Sequence, residues 1–183
     1  MDARSYTANE MLKDGTPVTI RAIRPNDAGT ILEAFGNLDR ESVYRRFFSP
    51  KKDLSENELE QLTDVDFSQV VALVVTKASE KGEVLIGGGR YAVEGPASGA
   101  AEIAFMTDGV HRGLGIASLI LKHLALIARE AGISRFDGEV LGENQPMLAV
   151  FRRSGLPMQL RRDGSVIHVT LSLANRKERR HGT

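Results

Sequence analysis

Between residues 117 and 131 the apolar positions recur at helical spacing. Ala117, Ile120, Leu121, Leu124, Ile127, Ala128 and Ala131 share the one face that the i, i+3, i+4, i+7 pattern produces. Lys122, His123, Arg129 and Glu130 lie off that stripe, and Gly132 offers a left-handed stop. The run before it, Ala101 to Thr107, is apolar over Ala101, Ile103, Ala104, Phe105 and Met106, holds Glu102 among them, and reads as a strand. Upstream, Val18 to Ile23 alternates as a strand does, and Arg24-Pro25-Asn26-Asp27 breaks it and caps a helix marked by Ala28, Ile31, Leu32 and Phe35. Ser55-x-x-Glu58 is a capping box that opens a second helix through Leu59 and Leu62. Val70 to Val75 is a continuous apolar strand, and a Gly82 turn leads into another from Val84 to Val93. Gly87-Gly88-Gly89 interrupts the latter and predicts a bulge or a place of close packing. Downstream come a strand over Arg135 to Leu141, a short helix over Asn144 to Arg153 ended by Gly155, and a hairpin turned at Asp163-Gly164. In its last strand Ile167, Val169, Leu171 and Leu173 point one way. Residues 1–15 are polar and read as a frayed helix or a disordered N-terminal arm. The order β-α-α-β-β-β-α-β-α-β-β predicts a mixed α/β domain.

Composition narrows what such a domain does. The chain has 183 residues, enough for one well-buried core. Its 24 basic and 24 acidic side chains cancel, which removes any global electrostatic case for nucleic acid or an anionic membrane. The absence of cysteine excludes disulfides, thiolate metal sites and a Cys nucleophile. His111, His123, His168 and His181 show no ligand spacing, so no metal site is expected. The N-terminus lacks the basic start and apolar stretch of a signal peptide, and no apolar run reaches spanning length, so a cytoplasmic location is the expectation.

The chemistry concentrates where the strand ending at Thr107 meets the helix. Arg112-Gly113-Leu114-Gly115-Ile116-Ala117 opens that helix, and a helix's first turn carries unpaired N–H groups and a positive dipole end suited to an anion. Gly113 and Gly115 remove the Cβ atoms that would hold a phosphate away, and Arg112 adds a charged fork. Binding of a pyrophosphate is implied. A P-loop would need a Lys-Ser/Thr pair after the glycines, and a dinucleotide fold would need a third glycine where Ser118 stands.

Arg112-x-x-Gly115-x-Ala117 resembles the Gln/Arg-x-x-Gly-x-Gly/Ala signature of the GNAT N-acetyltransferase superfamily. The likeness extends over about residues 16–173. Ile23 to Asp27 is similar to the opening strand-to-helix junction of that superfamily, while Ser42 to Phe48 and Ala101 to Phe105 resemble stretches of bacterial Pat-type protein-lysine acetyltransferases. The resemblance implies a mostly antiparallel central sheet flanked by helices, forming one acetyltransferase domain over 16–173 between the polar arm and a basic tail over 174–183. It implies acetyl-CoA as co-substrate, its pyrophosphate wrapped by Arg112, Gly113, Leu114, Gly115, Ile116 and Ala117. It also implies Glu102 as general base, and Asn144 and Phe151 as the cofactor-side pair of the helix after the fifth strand. Phe151 departs from the pattern, since the family's tyrosine there serves as general acid and a phenyl ring has no proton to give. The regulatory or synthetase-like domains often fused to Pat enzymes are absent, so the chain reads as a catalytic module standing alone or cut from something longer.

The same roles follow from the chemistry. A lysine amine has a pKa near about 10.4 and must lose a proton before it attacks a thioester, and a nearby carboxylate takes that proton. Glu102 lies about 16 Å from the phosphate loop at the strand rise of ~3.3 Å per residue, comparable to an extended pantetheine arm. Burial of a glutamate inside an apolar strand is costly without a purpose. N–H groups along Phe105, Met106 and Thr107, around Met106 above all, are placed to polarise the thioester carbonyl. His111 is a candidate phosphate contact or a plain loop residue, Arg152 and Arg153 candidates for the 3′-phosphate, and Tyr44, Arg45 and Arg46 candidates for the acceptor pocket. The expected function is acetyl transfer from acetyl-CoA to protein lysine. The rivals are a small-amine acetyltransferase and a non-catalytic acyl-CoA sensor.

Overall fold

The computed structural model describes residues 1–36, 38–47 and 53–174. One mixed sheet of eight strands forms its frame: β1 (Thr7–Met11), β2 (Pro17–Ala22), β3 (Val70–Ser79), β4 (Gly82–Val93), β5 (Ala100–Thr107), β6 (Arg135–Leu141), β7 (Met158–Asp163) and β8 (Val166–Ser172), in the order β1-β2-β3-β4-β5-β6-β8-β7. Every neighbouring pair is antiparallel except β5 and β6. Helices α1 (Ala28–Gly36), α2 (Arg40–Phe47) and α3 (Glu56–Thr63) belong to one side of the sheet, and α4 (Ile116–Glu130) and α5 (Gln145–Arg153) to the other. The expected mixed, mostly antiparallel architecture is therefore the one formed. Phe48, the side chains of Tyr44 and Arg45, and residues 175–183 of the basic tail lie outside the described residues.

Strand alternation assigns the two cores. Val71, Leu73 and Val75 of β3, with Ala101 and Ile103 of β5, pack under α4, whereas Ala72 and Val74 face α1–α3. Ile120, Leu121, Leu124 and Ala128 of α4 are fully buried on that first side, each large one contributing about 1.5–3 kcal/mol. The three glycines of β4 serve both predicted purposes. Opposite Val75 and Thr76 the ladder skips Ile86, a bulge that turns Ile86 and Gly87 together toward α4. A Cβ on Gly87 would lie 2.7 Å from Ile116 Cγ2, and one on Gly89 2.5 Å from Ile120 Cγ2. The helix sits this low only because those side chains are missing.

Two expectations are corrected. The polar arm over 1–15 is neither a frayed helix nor disordered: Thr7–Met11 forms the edge strand β1, paired residue for residue with Arg21 to Pro17. Two of its three polar side chains, Thr7 and Asn9, face solvent, as an edge strand allows, so the low hydrophobicity hid it. His123, read as lying off the buried stripe, is only 5% exposed. Its Nε2 is 2.8 Å from Glu10 Oε1 and its Nδ1 meets the Tyr6 hydroxyl, a pattern that assigns the proton to Nε2. β1 thus supplies the partners that let a histidine be buried on α4. The Lys122 and His123 hydrogen bonds hold the Glu10 carboxyl below its ordinary value.

The Arg24–Asp27 break carries more than a cap. Asp27 forms a two-pronged bond with buried Arg21, at 2.8 and 2.9 Å, and accepts the Arg24 N–H at 2.8 Å. Burial pushes its carboxyl up, and the Arg21 and Arg24 bonds more than reverse this and hold it below its ordinary value. This ion pair ties β2 to the start of α1.

Candidate active site

Strands β5 and β6 pair only at Ala100–Arg135, Ala101–Phe136 and Glu102–Asp137. Beyond Glu102 they part: β5 runs on to Thr107 beside β4, and β6 runs on to Leu141 beside β8. The β5 edge over 103–106 is left without a strand partner, and a cleft of about 660 Å³ opens along it. Unpaired strand-edge N–H and C=O groups in a cleft are ready to bond an extended amide-bearing chain such as pantetheine.

Phe105, Met106, Thr107, Arg112, Gly113, Gly115, Ile116, Ala117, Asn144 and Phe151 all line this cleft, with Glu102 at its inner end. Gly113 and Gly115 have φ of +76° and +94°, and Gly115 is the N-cap of α4. Their conformation alone calls for glycine, before any ligand is considered. Leu114 departs from the expected set: its side chain packs on the core, and its carbonyl accepts the Lys13 N–H at 3.0 Å. Arg112 also differs from the simple expectation, since its guanidinium holds Asp39 at 2.9 Å and Glu41 at 3.3 Å. It ties the segment leading into α2 to the glycine turn. Asn144 caps α5 by accepting the Met147 N–H at 3.3 Å. Phe151 is 2% exposed and meets the edge of Phe105 at 6.1 Å between centroids, so the missing tyrosine is replaced by an aromatic floor.

His111 is held within its loop: Nδ1 lies 2.7 Å from Asp108 Oδ1, and Lys77 Nζ lies 2.9 Å from Nε2. Of the two arginines offered for the 3′-phosphate, Arg153 lines the cleft. Lys13, which the sequence reading passed over inside the polar arm, also lines it, with its stem over Gly115 at 3.5 to 3.9 Å from where a Cβ would stand. No local signal marks it, because the β1–β2 turn reaches the cleft only through the sheet.

Glu102 is exposed, which overturns the argument from burial cost. Strand alternation turns it away from α4, to the face of Ala104 and Met106. It makes no hydrogen bond or ion pair among the described residues, and Arg46 and Arg90 share a hollow with it. Among the described residues no group of His, Asp and Glu is placed to hold a metal, and no helix is long and apolar enough to cross a membrane.

A family model, the Acetyltransferase (GNAT) family, matches residues 38–156. The chain belongs to that family. Its family is one of acetyltransferases, and the curated relatives it matches carry that name. Acetyltransferase Pat of Mycolicibacterium smegmatis is 32% identical over 136 residues, covering 74% of this chain and 40% of that protein. The chain thus spans less than half the length of this Pat relative. The GNAT domain of S. lividans PAT superposes with a TM-score of 0.82 at 32% identity, over 91% of this chain and 96% of that one. The fold is shared more distantly with yncA of Salmonella typhimurium, a structure with its cofactor acetyl-CoA, at a TM-score of 0.69 and 16% identity over 86% and 95% of the two chains. The GNAT-like fold expected from the Arg112–Ala117 motif is therefore the fold of this chain, and acetyl-CoA is the co-substrate of the family.

Proposed function

We propose that this domain transfers acetyl from acetyl-CoA directly to the side-chain amine of protein lysines, with Glu102 as general base. The observation that carries this reading is the position of Glu102 where three depressions meet: the cleft of about 660 Å³, a hollow of about 270 Å³ lined by α3 and by Arg46 of α2, and one of about 620 Å³ over β6–β8. A side chain arriving across the surface reaches the carboxylate without entering a closed chamber, which favours a lysine on a protein over a small amine.

The cleft fits the co-substrate. The glycine turn and the first N–H groups of α4 suit a pyrophosphate, the β5 edge just beyond Glu102 suits the pantetheine amides, and Lys13 and Arg153 line the way with positive charge. When bound, acetyl-CoA supplies an activated acyl carbon. Glu102 takes the proton from the lysine ammonium, directly or through a water, and frees the nitrogen lone pair to attack that carbon. Ala104 and Met106 turn their N–H groups back to β4, so on the open β5 edge it is the N–H of Phe105 that suits the oxygen on which negative charge develops. The adduct sheds its second N–H proton to water as the C–S bond breaks, and the departing sulfur, a thiol of ordinary pKa near about 8.5, leaves as an anion or takes up a proton from solvent, so Phe151 has no part in that step.

Incubating a proteome with the protein and labelled acetyl-CoA, followed by mass spectrometry, is expected to reveal acetyl-lysine that depends on Glu102. For Glu102→Gln, kcat falls by about 10²–10⁴-fold while acetyl-CoA affinity holds. Parental kcat in Glu102→Gln overturns the base assignment. Turnover of small amines without protein labelling overturns the acceptor, and tight CoA binding without turnover overturns the enzyme reading.

A further inference from the structure

In the β4–β5 ladder Arg90 stands opposite Ala104 and Ala92 opposite Glu102. Paired residues share a face, so Arg90 and Glu102 project together as diagonal neighbours, about 7–8 Å apart. That face looks onto the hollow lined by α3 and α2, to which Gln61 and Arg46 contribute. Arg90 is half-buried, yet among the described residues it makes no hydrogen bond, ion pair or ring contact. Arg46 answers to the same surroundings: its burial first, and the Arg90 charge second, push its guanidinium below the ordinary value, with Glu102 opposing. The hollow's other acid, Glu58, is engaged at the head of α3, where its Oε2 accepts the Ser55 N–H at 2.8 Å. A guanidinium that is partly stripped of water and lacks an acceptor is unfavourable. Its planar fork matches a carboxylate.

We propose that Arg90 is a specificity residue that binds a carboxylate on the acceptor, so that this domain selects lysines with an acidic residue nearby in the chain. The inference rests on the protein-lysine reading above and adds the chemistry of the recognised segment. The separation of Arg90 from Glu102 corresponds to about two residues of extended chain at ~3.3–3.6 Å each, so the acid lies one or two positions from the lysine. A free amino acid offers the same carboxylate, and the assay separates the two sources.

Initial rates on lysine peptides with Glu, Ala or Lys at the neighbouring positions, and on free lysine and its methyl ester, test this. The parent is expected to favour the Glu peptide over the Ala peptide by about 10–100-fold in kcat/KM, the scale of one charge-assisted bond, with the difference in KM. Arg90→Gln collapses that ratio toward one, Arg90→Lys restores part of it, and Arg90→Glu turns the preference toward the Lys-flanked peptide. CoA affinity, measured by calorimetry on each variant, stays at the parental value and shows that the fold is kept. A parent that acetylates Glu and Ala peptides equally, or an Arg90→Gln protein that keeps the parental ratio, overturns the inference and leaves lysine acetylation standing. Peptides left unmodified while free lysine, but not its ester, is acetylated overturn the protein acceptor and assign the carboxylate to a small molecule. If Arg90→Gln leaves that ester discrimination unchanged, the role of Arg90 falls as well.

Discussion

The α4 face and the α1–α3 face of the sheet share the same strands but are built by opposite means. On the α4 face a helix rests almost on bare backbone. Gly87 and Gly89 admit Ile116 and Ile120, and the left-handed Gly115 turns the chain from β5 into the helix within a few residues. The other face is assembled from distant pieces: Arg46 from α2, Arg90 from β4, Glu102 from β5 and Gln61 from α3 meet around an open hollow. The first is dense and intolerant of added atoms, as a surface that cradles one invariant ligand needs to be. The second carries charge and open space, as the proposed protein acceptor would need.

Gly115→Glu gives the largest expected break in this contrast. It puts a carboxylate at the head of the α4 dipole and a side chain where φ is +94°, so CoA affinity is expected to fall by about 100-fold or more, equivalent to about 2.7 kcal/mol. The left-handed conformation costs a non-glycine residue about 1–2 kcal/mol, so the variant remains folded. Calorimetry showing parental CoA affinity in the folded variant contradicts the assignment of the turn.

Gly89→Ala set beside Arg90→Gln sharpens the contrast, because the two residues are adjacent in sequence and face opposite ways. The added methyl meets Ile120 Cγ2, Phe105 Cδ1 and the Ala104 carbonyl at 2.5, 3.1 and 3.2 Å, overpacking expected to lower stability by about 1–3 kcal/mol. Arg90→Gln removes no hydrogen bond seen among the described residues and is expected to stay within about 0.5 kcal/mol of the parent. Urea unfolding of both variants checks this. Equal losses mean that the two faces do not differ in packing as described.

The smallest effect is expected at Phe151→Tyr. A hydroxyl added to the ring at the cleft floor offers the departing sulfur a proton that a thiol of pKa near about 8.5 does not require, so kcat is expected to change by no more than a few-fold. A gain of about 100-fold, the size of a general-acid contribution, shows that proton donation limits the parent.

The two faces were not equally legible. The cofactor half is contiguous: strand, glycine turn and amphipathic helix follow one another from Ala101 to Ala131, and periodicity with two glycines sufficed to read them. The β4 glycines were legible as a bulge or close packing, but not as the seats of Ile116 and Ile120, which lie far along the chain. Arg46 was named among the acceptor candidates, whereas Arg90 and Lys13 carried no local mark. Their roles come from the register of β4 on β5 and from a hairpin turn laid against α4. His123 and the N-terminal strand were misread together, since each is polar alone and the pair is satisfied only when Tyr6 and Glu10 reach the helix.

What the sequence determined by itself was set by short-range physics: dihedral preference at Gly113 and Gly115, helical and strand periods, the Ser55 capping box, and the acid–base chemistry available to Glu102. Tertiary structure decided the rest. The parting of β5 from β6 beyond Glu102 depends on β6 finding its hydrogen bonds with β8, a partner about thirty residues away in sequence, as the register Glu139–His168 shows. Which side chains share a face follows from strand pairing. Whether a polar group there is satisfied or left waiting for a ligand depends on neighbours that only the folded chain brings near.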